Sequence, residues 1–209
     1  GVAREQTLAF YSSEPLILDP AIAQESGSIQ YIMQVFSGLV SFDADLKIQP
    51  ELAKEWKITG DGTTYTFTLR ENARFHDGRT ATAEDVKYSW ERAVAPDTGS
   101  PTAGTYLNDI VGAADVLNGD AAEISGLEVL DKRTLQVTID APRAYFLSKL
   151  THPVTFTVDR NEVEAEATPL GNPWWVIPNA TGAFRLSLWD PGRLIAMQVN
   201  ENYYLTPPA

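Results

Sequence analysis

Residues Ala53–Trp90 read AKEWKITGDGTTYTFTLRENARFHDGRTATAEDVKYSW. Within them Tyr65, Phe67 and Leu69 alternate with Thr64, Thr66, Thr68 and Arg70. That period of two predicts a strand with one buried face. Gly60-Asp61-Gly62 supplies a tight turn before it, and Asp77-Gly78 reverses the chain after it. Thr82 and Asp85 then stand at capping-box spacing, where hydroxyl and carboxylate each satisfy free backbone N–H groups. Val86, Trp90 and Val94 follow on one helical face. The stretch is therefore strand, corner and capped helix, with no catalytic apparatus visible.

These residues resemble the signature of the family 5 extracytoplasmic solute-binding proteins, the peptide- and nickel-binding components of ABC importers. The resemblance rests on the DGTTYTFTLR strand, the Phe-His-Asp-Gly corner and the TAEDVKYSW helix. It extends in family order through Phe36–Val40, Pro50–Ala53, Gly112–Gly119 and Thr181–Leu186, and so over nearly the whole chain. It implies ligand capture and delivery, not chemistry.

Composition bounds the remaining classes. The chain has 209 residues, 44% hydrophobic and 21% charged, which is ordinary globular usage with enough apolar content for a core. A net charge of −12 disfavours nucleic acid or an anionic membrane as partner. The absence of cysteine removes disulfides, thiolate catalysis and Cys-ligated metals. Ser26–Phe42 is uncharged but carries Ser, Gly and Gln throughout, so it reads as a buried amphipathic helix and not a membrane span.

Periodicity places the other elements. Gln6–Tyr11 reads as a strand. Ser28–Val40 reads as a helix with Ile29, Ile32, Met33, Phe36 and Leu39 on one side and Gly38 near its end. Asp43–Asp45 makes a turn, and Asp97–Thr102 a loop. Leu107–Leu117 reads as a second helix. Leu127–Leu130 and Thr134–Ile139 form a hairpin, and Pro142 opens a short helix to Leu150. His152–Pro178 is irregular, with Glu162, Glu164 and Glu166 read as a solvated face. Ala183–Leu188 and Leu194–Val199 are strands around the Asp190-Pro191-Gly192 turn.

Candidate chemistry is thin. His76-Asp77 has the form of a base and its orienting carboxylate, yet no nucleophile stands in a recognisable context, so a structural corner is the preferred reading. The two histidines, His76 and His152, are far apart and lie in no metal-ligand spacing. A carboxylate pair for hydrolysis converges only in space, and chance pairs among 28 acidic residues are plentiful. Asn179-Ala180-Thr181 matches a glycosylation sequon, read as coincidental. Trp56, Trp90 and Tyr65 are expected in the core, whereas Trp174, Trp175, Tyr106, Tyr203 and Tyr204 lie in irregular stretches that carry recognition more often.

The resemblance implies a mixed α+β fold, periplasmic-binding-protein type II-like. Only the first lobe is expected here, as a truncated or natural fragment, because full members carry a second large lobe beyond the Asn-Tyr-Tyr segment. Residues 1–42 and 169–209 are expected to build a ligand-facing subdomain, with 43–168 as an inserted α+β subdomain. Carried over position by position, the ligand side comprises three patches: Ser12, Ser13, Glu14, Glu25 and Ser26; Tyr106; and Asn179, Ala180, Thr181 and Gly182. The partners implied are a peptide or other small solute and a membrane permease. No cofactor, metal or nucleic acid is expected, and the protein is expected to be monomeric. The implied location is periplasmic or extracellular, with a lipid anchor on a removed leading segment as one form. A nickel or metal-chelate binder, a carboxylate hydrolase and a signalling or adhesion module are the alternatives.

Overall fold

The computed structural model describes residues 12–165 and 171–206. The strand read at Gln6–Tyr11, and Glu166, lie outside them. Strands β1 (Val40–Phe42) and β2 (Ile48–Pro50) form a hairpin. Its turn is tied by the Asp43 carboxylate, which accepts the N–H groups of Asp45 and Lys47, both at 2.9 Å. Next come β3 (Ala53–Ile58) and β4 (Thr64–Leu69), then β5 (Leu127–Asp131) and β6 (Thr134–Thr138). They make one antiparallel sheet in the order β3-β4-β6-β5. Phe67 faces Trp56 on one side and Leu135 on the other. Tyr65, Phe67, Leu69, Leu135 and Val137 are buried as the alternation requires, while the threonines between them stay half-exposed.

Helix α2 (Ala83–Val94) covers that face. Its capping box forms as expected: Asp85 N–H donates to Thr82 Oγ1 at 3.4 Å, and Thr82 N–H donates to the Asp85 carboxylate at 2.8 Å. Val86, Trp90 and Val94 are buried beneath it. Trp90 is fully enclosed, and its indole N–H donates to the Thr155 carbonyl at 2.8 Å, so the largest core side chain leaves no polar group unpaired.

Four sequence expectations fail where tertiary contacts outrank local pattern. The helix expected over Ser28–Val40 is α1 (Ser26–Val35), and Phe36 is already extended. The reason is that Phe36 and Leu39 belong to different cores, so they cannot share one helical stripe. Met33, expected among the apolar positions, is exposed. Of the helix expected over Leu107–Leu117 only α4 (Ala113–Leu117) forms, and a separate turn of helix, α3 (Ala103–Tyr106), precedes the expected range. Between them Ile110 bridges Ile139, and Val111 N–H donates to the Thr138 carbonyl at 3.0 Å, so the main chain extends the sheet instead of a helix. Gly112, at φ 82°, makes the turn back into α4. The helix expected from Pro142 is only α5 (Phe146–Lys149).

Helix α6 (Arg160–Glu164) and short 3-10 turns at Pro153–Thr155 and Trp174–Val176 lie in the stretch read as irregular. Strands β7 (Phe184–Asp190) and β8 (Leu194–Val199) pair as a hairpin, with a bulge between Leu186 and Leu188. Two cores result. The larger joins the four-stranded sheet, α2 and α4 with Leu39, Val40 and Tyr204. The smaller gathers Leu18, Tyr31, Ile32, Val35 and Phe36 around Phe156, Val158, Trp174 and Leu186. A buried ion pair spans them: the Arg92 guanidinium on α2 meets both oxygens of Asp19, at 3.0 and 2.5 Å, and lies over the Trp174 ring. Among the described residues no helix is long and apolar enough to cross a membrane.

Candidate functional site

The first predicted patch is an exposed polar strip at the N-terminal end of α1. Ser12, Ser13, Glu14 and Ser26 face solvent. Ser12 donates to the Gln30 side chain at 3.1 Å. Both carboxylates of the patch are committed internally. Glu14 accepts the Trp189 indole N–H at 3.0 Å and the Gly192 N–H at 3.0 Å, fastening the strip to the turn between β7 and β8. Glu25 accepts the N–H groups of Leu16 and Gln24 and the Ser28 hydroxyl. Burial opposes ionisation of Glu25, but these donors hold its carboxyl below the usual range. The hydroxyls of Ser13 and Ser26 are what this strip offers outward.

Tyr106 closes α3 and lies face to face with His152, ring centroids 3.7 Å apart. Burial pushes His152 down to about 4, so the imidazole in this stack is uncharged at neutral pH. Among the described residues no hydrogen bond joins Tyr106 to either other patch.

The third patch, Asn179–Gly182, is squeezed between the Phe-His-Asp-Gly corner and the C-terminal turn of α1. Gly182 N–H donates to the Val35 carbonyl at 2.8 Å, and a Cβ on Gly182 would fall within 2.5 Å of that same carbonyl. No side chain fits there. Asn179 is spent on structure: its amide side chain donates to Asp159 at 2.6 Å and accepts from Asp77 N–H at 3.0 Å, and its own N–H donates to Glu162 at 2.6 Å. A sequon asparagine so engaged is a poor glycan acceptor. The Thr181 hydroxyl is buried with no hydrogen-bond partner among the described residues.

The first and third patches thus sit at opposite ends of α1, about 15 Å apart at 1.5 Å per residue. Two of the aromatics expected at a recognition edge are interior instead. Trp174 is buried edge-on against Phe36, and Tyr204 is buried with its hydroxyl 2.9 Å from the Glu51 carboxylate. Tyr203, half-buried, donates to the same oxygen at 2.8 Å. Burial raises the Tyr203 and Tyr204 hydroxyls well above their ordinary range, so both stay protonated donors.

The solvated acidic face expected at Glu162, Glu164 and Glu166 is only partly so. Glu164 is exposed and pairs with Arg160, but Glu162 is half-buried and its carboxyl is raised by burial. A network missed at the sequence level lies here: the Arg79 guanidinium bridges Asp85 at 3.0 Å and Asp159 at 2.9 Å and stacks on Phe75. Arg79 follows the Asp77-Gly78 corner and Asp85 caps α2, so half of it was readable. Asp159, 80 positions from Arg79, was not. Nothing in this network places a nucleophile beside His76, and among the described residues no group of three or more His, Asp or Glu is placed to hold a metal ion.

Comparison with known proteins agrees with this architecture. A family model described as bacterial extracellular solute-binding proteins, family 5 Middle, matches residues 47–209. The dipeptide-binding protein DppE of Bacillus subtilis is 32% identical over 92% of this chain and 35% of its own length. The probable deoxycholate-binding periplasmic protein YgiS of Escherichia coli is 36% identical over 91% of this chain and 36% of its own. The solved murein tripeptide binding protein MppA of Escherichia coli superposes with a TM-score of 0.85 at 33% identity, over 93% of this chain and 38% of that one. The chain therefore spans little more than a third of the relatives it matches, with the mixed α/β fold of a periplasmic binding protein of type II. The signature corner, the capped helix and these matches together make the chain a member of the family 5 extracellular solute-binding proteins.

Proposed function

We propose that this chain is the first lobe of an extracytoplasmic binding protein that captures a peptide between two lobes and delivers it to a membrane permease, without any covalent step. The match of residues 47–209 to the family, over a fold superposing on MppA at 0.85, carries this reading. In such a clamp the lobes close by hinge motion. An extended peptide adds as a strand, main-chain bonds supplying affinity independent of sequence and hydrated pockets tolerating many side chains. The protein works in the periplasm or outside the cell, as a monomer.

Residues 1–42 and 169–209 form the ligand-facing subdomain and 43–168 the insert. The separate core around α1, β7 and Trp174 supports this division in part, since it also takes in Phe156 and Val158 from the insert, while Leu39, Val40 and Tyr204 pack in the larger core. The ligand meets Ser12, Ser13, Glu14, Glu25, Ser26, Tyr106 and Asn179–Gly182. Ser13, Ser26 and the Tyr106 ring are the outward groups, and the carboxylates and the 179–182 main chain hold the frame. A second reading is an amphipathic, non-peptide solute, favoured by the 36% identity to YgiS.

Titration calorimetry decides between them. The full-length protein is expected to bind trialanine and not deoxycholate, and this 209-residue chain to bind at least about tenfold more weakly because half the clamp is missing. Equal binding of one ligand by both would overturn the two-lobe reading. Deoxycholate binding alone would select the second.

A further inference from the structure

His76 belongs to none of the three patches, yet its polar groups are directed at one of them. Its main-chain N–H donates to the Ala180 carbonyl at 2.8 Å. The Ala180 N–H points back at His76 Nδ1, at 3.3 Å. His76 Nε2 lies 3.3 Å from the Gly182 carbonyl. An amide N–H can only donate and a carbonyl can only accept, so Nδ1 carries the lone pair and Nε2 the proton. The neutral imidazole thus spans two alternate residues of the segment that leads into β7. Asp77 N–H adds a fourth tie, to the Asn179 side chain at 3.0 Å. On its other side the same segment is pressed on α1, where the Val35 carbonyl leaves no room for a Cβ at Gly182.

We propose that His76 is a positioning residue for the ligand-facing segment: its imidazole fixes the spacing of Ala180 and Gly182, which are themselves buried, and so the main-chain frame on which the ligand-facing surface rests. This rests on the reading of that segment as ligand-facing. Such a role explains a histidine at this corner, because one ring meets a donor at one nitrogen and an acceptor at the other, with both lying in one plane. Burial keeps His76 neutral, with its proton affinity pushed down to about 4, and the charges nearby are Arg185, which opposes protonation, and Asp77, which favours it.

The test compares His76→Leu, which keeps bulk and removes both nitrogens, with His76→Asn, which restores an acceptor near Nδ1. In amide exchange on this chain, His76→Leu is expected to cost the Ala180 amide, which donates to the ring, at least about tenfold in protection, with Phe67 and Val137 in the sheet unchanged. His76→Asn should recover Ala180 but not the tie to Gly182. In the full-length protein, affinity for trialanine or deoxycholate, whichever the wild type binds, should fall at least about tenfold in His76→Leu and partly return in His76→Asn. A Val137→Ala control, destabilised elsewhere, should stay within about twofold of wild type. A uniform loss of protection across the chain, or unchanged affinity in His76→Leu, would overturn the proposal. Wild type binding neither probe would overturn the solute-binding reading of the segment, and the exchange data would still decide whether His76 holds it.

Discussion

The sheet-and-α2 region and the α1 region are built on opposite plans. In the first, strand, turn, corner and capped helix follow one another within Ala53–Val94, and the hairpin of β5 and β6 completes the sheet. Each element carries its own pattern and cap, and the core is held by Trp90, Phe67 and Phe75. In the second, a short helix without a side-chain N-cap bond rests on strands some 150 residues away in sequence, and among the described residues the adjoining sheet has two strands. Its integrity depends on cross-ties such as Glu14 to Gly192, Gly182 to Val35 and His76 to Ala180. Local pattern builds the first region. Loop closure over long sequence distances must be offset by tertiary contacts in the second.

The comparison can be broken most sharply at the heart of the first region. Trp90→Ala removes a fully buried indole and orphans the Thr155 carbonyl, and is expected to cost about 3–5 kcal/mol in denaturant unfolding. If the two regions are unequal as described, the loss is global, with α1 and sheet amides opening together. Gly182→Ala attacks the second region. Its Cβ meets the Val35 carbonyl, main chain that cannot swing aside, at an expected cost of about 3 kcal/mol. Exchange should rise in α1 and β7 while β4 and β6 stay protected. A uniform rise would show that the two regions unfold as one unit.

Acid should act on the seam between them. His76 and His152 are both held near 4 by burial, against 6.5 unperturbed. Between those values the unfolded chain binds a proton that the folded chain does not. Their stabilising effect is therefore complete above about pH 6.5 and is lost as pH falls from there towards 4. For the more buried His76 the ceiling is about 3–4 kcal/mol, at roughly 1.4 kcal/mol per pKa unit. Melting curves from pH 7 to 4 should show this limb shrinking in His76→Leu; an unchanged limb would assign it to other groups. The smallest effect is expected from Thr82→Ala, which removes the α2 cap for about 1 kcal/mol and should leave exchange in α1 unaltered.

Legibility follows the same divide. Thr64–Leu69, the Thr82–Asp85 box and the Asp190-Pro191-Gly192 hairpin were readable because period, cap and turn are local properties. Leu107–Leu117 was misread because its apolar spacing fits a helix equally well, and only the main chain at the C-terminal end of β6 draws Ile110 and Val111 out of it. At the candidate site the residue positions came from resemblance, whereas the commitment of Glu14, Glu25 and Asn179 to internal hydrogen bonds had no sequence signal at all.

What the amino-acid order determined by itself is the sheet-and-helix unit with its Phe-His-Asp-Gly corner, because alternation, capping and turn residues act within a few positions. Only the tertiary structure decided that α1 stops at Val35, that Tyr204 is interior and that His76 grips Ala180 and Gly182. Those outcomes depend on which distant groups arrive with an unpaired donor, acceptor or apolar face, and such complementarity is set by packing, not by neighbours in the chain.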